Sequence, residues 1–251
     1  MVKPDANPPS TLEERLKRAV VPARLELKRI VARERRKGEP GLRLLPFLLD
    51  PARAALDIGA NRGIWAHEME QVCKTVWAFE PNPKLFAVLK AAASKTVVCR
   101  AEALSNETGT AELLIPGEAG RFSNQGASLN PERVGGRNHM RVSVATARLD
   151  DLDPPTTGFM KIDVEGHERA VLEGARGLIA RDKPAMIIEI EERHTGRALD
   201  GELDFVESLG YRTLAIRAGR LIDRARLDVD RDHRGAAGGP GYVNNFVFLP
   251  V

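Results

Sequence analysis

The sequence predicts an α/β protein with a central, mostly parallel sheet of seven strands, flanked by helices and preceded by an N-terminal helical arm. The prediction rests first on residues 54–83, where an apolar run, a glycine-containing turn, a helical pattern and a second apolar run follow one another. The acidic residue Glu80 closes the second run. This succession is typical of a Rossmann-like, nucleotide-binding βαβ unit.

The length and composition fit this interpretation. A chain of 251 residues is long enough for one large α/β domain, predicted over residues 50–251, with a basic helical arm over residues 1–49. The net charge of +3 disfavours nucleic acid as a partner. We expect no transmembrane segment, because no apolar run approaches the length of a membrane span. Cys73 and Cys99 lack C-x-x-C spacing, which indicates a reducing, cytoplasmic setting.

The arm is predicted to be helical and basic. Residues 10–13 form a capping-box pattern, and apolar residues then recur at helical spacing, with a kink or break expected at Pro22. We interpret the run of basic residues as the solvated face of a helix that packs on the core or on a second subunit, giving a homo-oligomer. Contact with an anionic surface or nucleic acid is the alternative, disfavoured because no aromatic residue lies among the charges.

The remaining elements alternate between strand and helix patterns. Strands are predicted over residues 96–100, 110–115, 141–146, 159–164, 185–190, 211–216, 220–222 and 244–248, and helices around residues 44–49, from 83, from 166 and over 203–209. Residues 116–140 have no apolar period and are long for a loop, so we interpret them as a lid, with plain disorder as the alternative.

The glycine turn carries the first chemical signal. Gly59 permits a sharp turn and close approach of a ligand, and Asp57 precedes it at the end of a strand. Glu80, about twenty residues further on, stands where a carboxylate accepts ribose hydroxyls. The spacing D-x-G-x-x-x-G differs from the dinucleotide pattern G-x-G-x-x-G and favours S-adenosylmethionine over NAD. An ordinary turn capped by Asn61 is the alternative.

The order of the predicted strands identifies two further acids as candidate site residues. Glu102 comes after the third strand, where it can accept a hydrogen bond from an adenine amino group, although a surface glutamate is nearly as good an interpretation. Asp163 ends the fourth strand, at the edge where ligands bind in open α/β sheets.

Asp163 belongs to a second cluster of ionisable residues at that strand end. For methyl transfer to a hydroxyl, Asp163 or Glu165 can take the proton, directly or through His167. A divalent metal such as Mg²⁺, held by Asp163 and Glu189, is another route, because a metal lowers the pKa of a bound hydroxyl. Glu168 is better explained as an acid at the start of a helix.

The chain resembles the FkbM family of class I S-adenosylmethionine-dependent methyltransferases. The resemblance covers about residues 50–250 and leaves out the arm. It is carried by residues 56–63, 79–83, 126–129, 149–152 and, most specifically, the sequence KIDVEGHE at 161–168.

The resemblance implies roles for particular residues. Asp57, Gly59 and Asn61 would lie on the methionine side of the cofactor, with Glu80 at the ribose. Asp163 and Glu165 would face the methyl group or the acceptor. The full set expected to contact the cofactor is Asp57, Gly59, Asn61, Glu80, Pro81, Asn82, Glu102, Ala103 and Asp163.

Three functions follow as hypotheses. The first is O-methylation of a small hydroxylated acceptor such as a sugar, a glycan or a polyketide-type metabolite. The second is N-methylation of RNA or protein, disfavoured because residues 163–166 lack an Asn/Asp-Pro-Pro-aromatic motif. The third is a binding protein that keeps the cofactor fold without turnover, which the retained acids argue against.

Overall fold

The computed structural model describes residue 11 and residues 20–118, 121–122, 126–130, 139–235, 238–239 and 241–251. The strands are β1 (Ala54–Ile58), β2 (Val76–Phe79), β3 (Val97–Arg100), β4 (Ala103–Leu104), β5 (Gly109–Glu118), β6 (Arg121–Phe122), β7 (His139–Ala147), β8 (Thr157–Ile162), β9 (Ala185–Glu189), β10 (Tyr211–Arg217), β11 (Arg220–Asp223) and β12 (Asn245–Pro250). The α-helices are α1 (Ala23–Lys37), α2 (Leu45–Leu48), α3 (Ile64–Met69), α4 (Pro83–Ala92), α5 (Glu168–Glu173), α6 (Arg176–Asp182), α7 (Glu192–Thr195) and α8 (Leu199–Glu207). Short 3₁₀ turns lie at Pro40–Leu44, Leu149–Leu152 and Arg224–Arg226, and a π-helical turn lies at Asp230–Arg234.

The main sheet has the strand order β11-β10-β12-β9-β8-β1-β2-β3. Strands β9, β8, β1, β2 and β3 run parallel, and β12 is antiparallel to both β9 and β10. The predicted α/β fold is confirmed, with eight strands in this sheet rather than seven. The additional strand is β11, which pairs with β10 across a tight turn at Ala218 and Gly219, both with positive φ.

The central strands of the main sheet are mostly apolar, which explains why the sheet lies in the core. Every residue of β1 and β8 is buried, as expected for parallel strands covered by helices on both faces. One face packs against α5, α6 and α8 through residues such as Leu172 and Leu203, and the other packs against α3 through Trp65 and Met69. The carboxyl ends of the parallel strands therefore meet at one edge of the sheet.

A smaller sheet, with the order β4-β7-β5-β6, is inserted between β3 and β8. Its long pair β5 and β7 was predicted in shorter form, and apolar residues such as Ile115 and Val142 form its own core. The predicted lid at 116–140 is only partly described. Its described part includes Ser128, which pairs with Leu114 beside β5; residues 119–120, 123–125 and 131–138 lie outside the described residues.

The helix predicted from Gly166 is in fact two helices, α5 and α6, separated at Gly174. A Cβ atom on Gly174 would lie 2.0 Å from the carbonyl oxygen of Ser105. The chain must therefore pass very close to the neighbouring backbone at this point, which only glycine permits.

The helical arm is described from residue 20 onward, and the predicted capping box at 10–13 lies almost wholly outside the described residues. Pro22 precedes α1, as its fixed φ favours at a helix start. Leu27 and Val31 are buried against Ala92 of α4, while the basic side chains of α1 are mostly exposed. Among the described helices, none has the length and apolar character needed to cross a membrane.

We expect Leu27→Ala to lower the free energy of unfolding by about 2 kcal/mol, because it leaves a cavity between α1 and α4. Leu25→Ala is the matched control, since Leu25 lies on the same helix and is 44% exposed, against 5% for Leu27. Chemical denaturation of both variants measures the difference. Equal effects would contradict the packing of α1 on the core.

Candidate functional site

The glycine turn after β1 is held against the end of β2. The amides of Gly59 and Ala60 both donate to the carbonyl of Phe79, at 3.0 and 2.9 Å. Gly59 has a φ of 85°, and a Cβ atom there would lie 1.8 Å from the carbonyl oxygen of Asp163. The two motifs found in the sequence are therefore in direct backbone contact, although more than a hundred residues separate them along the chain.

Backbone amides fix the carboxylate of Glu80. Its Oε2 accepts a hydrogen bond from the amide of Asn61 at 2.7 Å, and its Oε1 accepts one from the amide of Asn82 at 2.8 Å. Glu80 is 6% exposed, and burial raises its pKa to about 7 against the lowering effect of these amides. The carboxylate is thus pre-oriented, and each oxygen keeps a lone pair for a ligand.

Asp57 has a similar environment at the end of β1. Its Oδ2 accepts a hydrogen bond from the amide of Ala66 at 2.8 Å, which ties the strand to α3. Burial raises the pKa of Asp57 to about 7. Gly59 and Asn61 follow in the turn, where Asn61 has a φ of 51°.

Pro81 and Asn82 connect the acid to α4. Asn82 is fully buried and caps the helix, its Oδ1 accepting from the amide of Lys84 at 3.1 Å. Within the described residues, the Nδ2 donor of Asn82 has no hydrogen-bond partner. A buried, unsatisfied donor beside Glu80 is costly unless a ligand accepts its hydrogen bond.

The two residues expected near an adenine lie after β3. Glu102 is half-buried and pairs with Arg100 at 2.8 Å, and the guanidinium of Arg100 lies 5.0 Å from the ring centre of Trp77. Ala103 is buried in β4, where it pairs with Thr146 of β7. Glu102 is therefore held by a neighbouring cation, while Ala103 belongs to the smaller sheet.

Lys161 is a buried cation at the centre of the site. Its side chain is 1% exposed, and its Nζ lies 3.8 Å from Oδ2 of Asp163 and 5.4 Å from the ring centre of Trp65. The indole nitrogen of Trp65 in turn donates to Glu39. Burial by itself lowers the pKa of Lys161, but nearby carboxylates raise it above its usual value. These carboxylates are Asp163, Glu189, Glu39 and Asp57.

Asp163 and Glu189 differ in what they can do at neutral pH. Burial raises the pKa of Asp163 to about 6, with Lys161 opposing the shift. Burial and the charge of Asp163 raise the pKa of Glu189 to about 9. Asp163, whose side chain is 31% exposed, is therefore the ionised and accessible carboxylate of the two.

Glu165 is the second acid of the strand end, and His194 is the histidine that contacts it. Nδ1 of His194 lies 3.0 Å from Oε2 of Glu165, and its Nε2 lies 3.7 Å from Oε2 of Glu191. Glu165 has a φ of 55°, an uncommon backbone conformation that clusters at functional sites. Ser128 donates to the carbonyl of Glu165 at 2.6 Å, and Asn130 to that of His194 at 2.8 Å.

Glu191 is held ionised beside this pair. Burial by itself raises the pKa of Glu191, but hydrogen bonds from Arg193 and Tyr242 bring it down to about 2. The hydroxyl of Tyr242 donates to its Oε2 at 2.6 Å. A buried imidazole thus lies between two carboxylates, those of Glu165 and Glu191.

His167 and Glu168 are engaged locally. Nε2 of His167 hydrogen-bonds with Oγ of Ser105 at 2.9 Å, and burial, together with the charge of Arg197, lowers the pKa of His167. Glu168 accepts from the amide of Gly166 at 2.9 Å, and burial raises its pKa to about 7. This contact is the helix-start arrangement expected for Glu168.

The predicted metal ligands, Asp163 and Glu189, have protein partners. Asp163 faces Lys161, and Oε1 of Glu189 accepts from Asn244 at 3.0 Å. In the described ranges, no group of three or more His, Cys, Asp or Glu residues is arranged to hold a metal ion.

Sequence reasoning did not single out His194, Glu191, Trp65 or Glu39 as site residues. The sequence places Lys161 in the ionisable cluster at 161–168 but gives it no role, although a lysine inside an otherwise apolar strand requires buried counter-charges. The others come from distant parts of the chain, and only the fold brings them to this edge.

A known protein family matches the part of the chain that forms this edge of the sheet. A family model described as the methyltransferase FkbM domain matches residues 57–213. The chain therefore belongs to the FkbM methyltransferase family.

Two solved structures are similar to this chain. The chain is similar to the methyltransferase FkbM from Methylobacillus flagellatus KT, with a TM-score of 0.52 and 17% identity over 87% of this chain and 52% of that one. This chain thus spans about half the length of that protein. It is also similar to a TehB-like SAM-dependent methyltransferase from Corynebacterium glutamicum ATCC 13032 Kitasato, with a TM-score of 0.47 and 12% identity over 90% and 99% of the two chains. No curated protein matches the sequence.

We expect Gly59→Ala to lower the free energy of unfolding by more than about 3 kcal/mol, because the new methyl group meets the Asp163 carbonyl and the φ is positive. Gly219→Ala is the matched control, since Gly219 also has a positive φ but no atom within 4 Å of its would-be Cβ. We expect the control to cost about 1–2 kcal/mol. Thermal or chemical unfolding compares them, and equal losses would contradict the close contact between the two motifs.

Proposed function

We propose that this protein is an S-adenosylmethionine-dependent O-methyltransferase that acts on a small hydroxylated acceptor such as a sugar, a glycan or a polyketide-type metabolite. The observation that carries the proposal is the carboxylate of Glu80, fixed by two amides beside a glycine turn that lacks the phosphate-binding pattern. A carboxylate so placed suits the two hydroxyls of a ribose.

The residues around Glu80 fit the remainder of this cofactor. Asp57, Gly59 and Asn61 are assigned to the methionine end, and the unsatisfied Nδ2 of Asn82, next to Pro81, is a donor for the ribose side. Glu102 and Ala103 are assigned to the adenine side. When bound, S-adenosylmethionine would supply an electrophilic methyl group, with S-adenosylhomocysteine as the leaving group.

In this proposal, side chains at the end of β8 and in α7 orient the acceptor and remove the proton of its hydroxyl group. Asp163 is ionised at neutral pH and accessible, so it can receive the hydroxyl proton as the oxygen bonds to the methyl carbon. Glu165 and His194 line the acceptor side and fix the position of the hydroxyl. Lys161 keeps the carboxylate of Asp163 in place. His167 is assigned no transfer step, because its ring is bonded to Ser105.

Two broader assignments belong to the same proposal. We place the protein in the cytoplasm, because Cys73 and Cys99 are free thiols, which persist in a reducing compartment. A homo-oligomer through α1 is compatible with the exposed side of that helix.

Calorimetric titration with S-adenosylhomocysteine, with NAD as a control and with or without magnesium, tests the cofactor. We expect the wild type to bind S-adenosylhomocysteine and Glu80→Ala to bind it about 1–3 kcal/mol more weakly, because two hydrogen bonds to the ribose are lost. Glu107→Ala, at an exposed glutamate outside the site, is the control. If the wild type did not bind S-adenosylhomocysteine, the proposed methyltransferase reaction would be excluded and the non-catalytic protein would be favoured. If Glu80→Ala bound it as tightly as the wild type, Glu80 would not belong to the cofactor site.

Asp163→Asn tests the proposed base. We expect turnover to fall about 100-fold while the affinity for S-adenosylhomocysteine changes much less. In the wild type, kcat/KM should rise as the pH increases through about 6, because Asp163 accepts a proton only when ionised and burial raises its pKa to about 6. Asp151→Asn, at an exposed aspartate, is the control. If Asp163→Asn turned over at the wild-type rate, Asp163 would not be the base. If the protein methylated RNA or protein and not small molecules, the N-methyltransferase hypothesis would be favoured.

A further inference from the structure

An open surface cavity of about 540 Å³ beside the end of β10 is lined by three arginines. They come from three separate elements: Arg217 ends β10, Arg226 ends a 3₁₀ turn, and Arg231 lies in the π-helical turn. Asp232 and Gly241 complete the lining. π-helical turns are rare and frequently occur at functional sites, so the turn at Asp230–Arg234 indicates that this cavity is a candidate binding site.

One buried aspartate orients two of the arginines. Oδ2 of Asp232 accepts from Nη1 of Arg217 at 2.9 Å, and the two carboxylate oxygens accept from Nε and Nη2 of Arg231 at 2.7 and 2.9 Å. The hydrogen bonds from Arg231 lower the pKa of Asp232, so this carboxylate stays ionised. The guanidinium groups are thereby held at the cavity wall.

Counted over the residues that the structure describes, the lining carries more positive than negative charge. Three guanidinium groups face one buried carboxylate, and a second carboxylate, Asp228, lies 3.7 Å from Arg231 at the exposed side. Arg226 has no ion pair or hydrogen bond with any residue that the structure describes. A planar guanidinium fork in this position matches the oxygens of a phosphoryl group.

The cavity lies at the same edge of the sheet as the proposed acceptor side. Gly241 precedes Tyr242, whose hydroxyl binds Glu191, and the ring of Tyr242 stacks on His233 with centroids 5.4 Å apart. His233 follows Asp232 in the π-helical turn. Strand β10 runs in the same direction as β9, because both are antiparallel to β12, so Arg217 lies at the same edge of the sheet as Asp163.

We propose that this arginine-lined cavity binds a phosphoryl group carried by the methyl acceptor, which makes the acceptor a phosphorylated hydroxyl compound. The proposal rests on the function proposed above, because it assigns the acceptor of the same site. It gives a role to the positive charge beside Gly241, and it places the anionic end of the acceptor away from the acids that surround Lys161.

Titration of the full chain with inorganic pyrophosphate tests the cavity directly. We expect Arg226→Gln to weaken pyrophosphate binding about tenfold, because one charge-assisted contact is lost without breaking an ion pair among the described residues. Arg220→Gln is the matched control: it removes the same charge from exposed β11, outside the cavity lining. We expect its affinity to stay within about twofold of wild type. Equal weakening in both variants, or no binding by the wild type, would overturn the proposal.

A second measurement separates the acceptor from the cofactor. Methyl transfer from labelled S-adenosylmethionine is compared for hexoses and their phosphate esters, with S-adenosylhomocysteine affinity measured in parallel. We expect transfer to phosphate esters only, a KM raised about tenfold in Arg226→Gln, and equal S-adenosylhomocysteine affinity in both variants. Transfer to unphosphorylated hexoses alone, or an equal KM in both variants, would overturn the acceptor assignment while leaving the methyltransferase function intact. If the wild type did not bind S-adenosylhomocysteine, the proposed methyltransferase function itself, on which the acceptor assignment rests, would be overturned.

Discussion

The ammonium group of Lys161 lies near the carboxyl end of β8 with almost no exposure to solvent, and a buried charge of this kind is stable only among opposite charges. Its neighbours are acids from β1, from β9 and from the segment after α1, together with the ring of Trp65. The cation therefore connects four parts of the chain at one edge of the sheet. Asp163, the proposed base, directly follows β8, and its Oδ2 lies 3.8 Å from the ammonium nitrogen.

The site has two sides, one on either side of Lys161 and Asp163. On one side, backbone amides fix Glu80 while the glycine turn presses against the carbonyl of Asp163, which gives a rigid surface suited to a ribose. On the other side, His194 lies between two carboxylates, and the smaller sheet contributes Ser128 to the same wall. The methyl group would be transferred where the two sides meet, beside Asp163.

The parts of the chain outside the main sheet also reach this edge. The segment that follows α1 places Glu39 against Trp65, so the N-terminal region takes part in the electrostatics of the site. The π-helical turn carries the arginine-binding Asp232 and the stacked His233 at adjacent positions.

The sequence by itself determined the parallel sheet, the glycine turn, Glu80 and the acids after β8, because each depends on local periodicity or on spacing along one strand–helix–strand unit. It also indicated β10 and β11 as strands, although not that β11 extends the main sheet. Only the tertiary structure decided that His194 contacts Glu165, that Glu39 reaches Trp65 and that three arginines share one cavity. Those contacts join residues distant along the chain, and no local pattern encodes a distance in space that the packing of helices and strands creates.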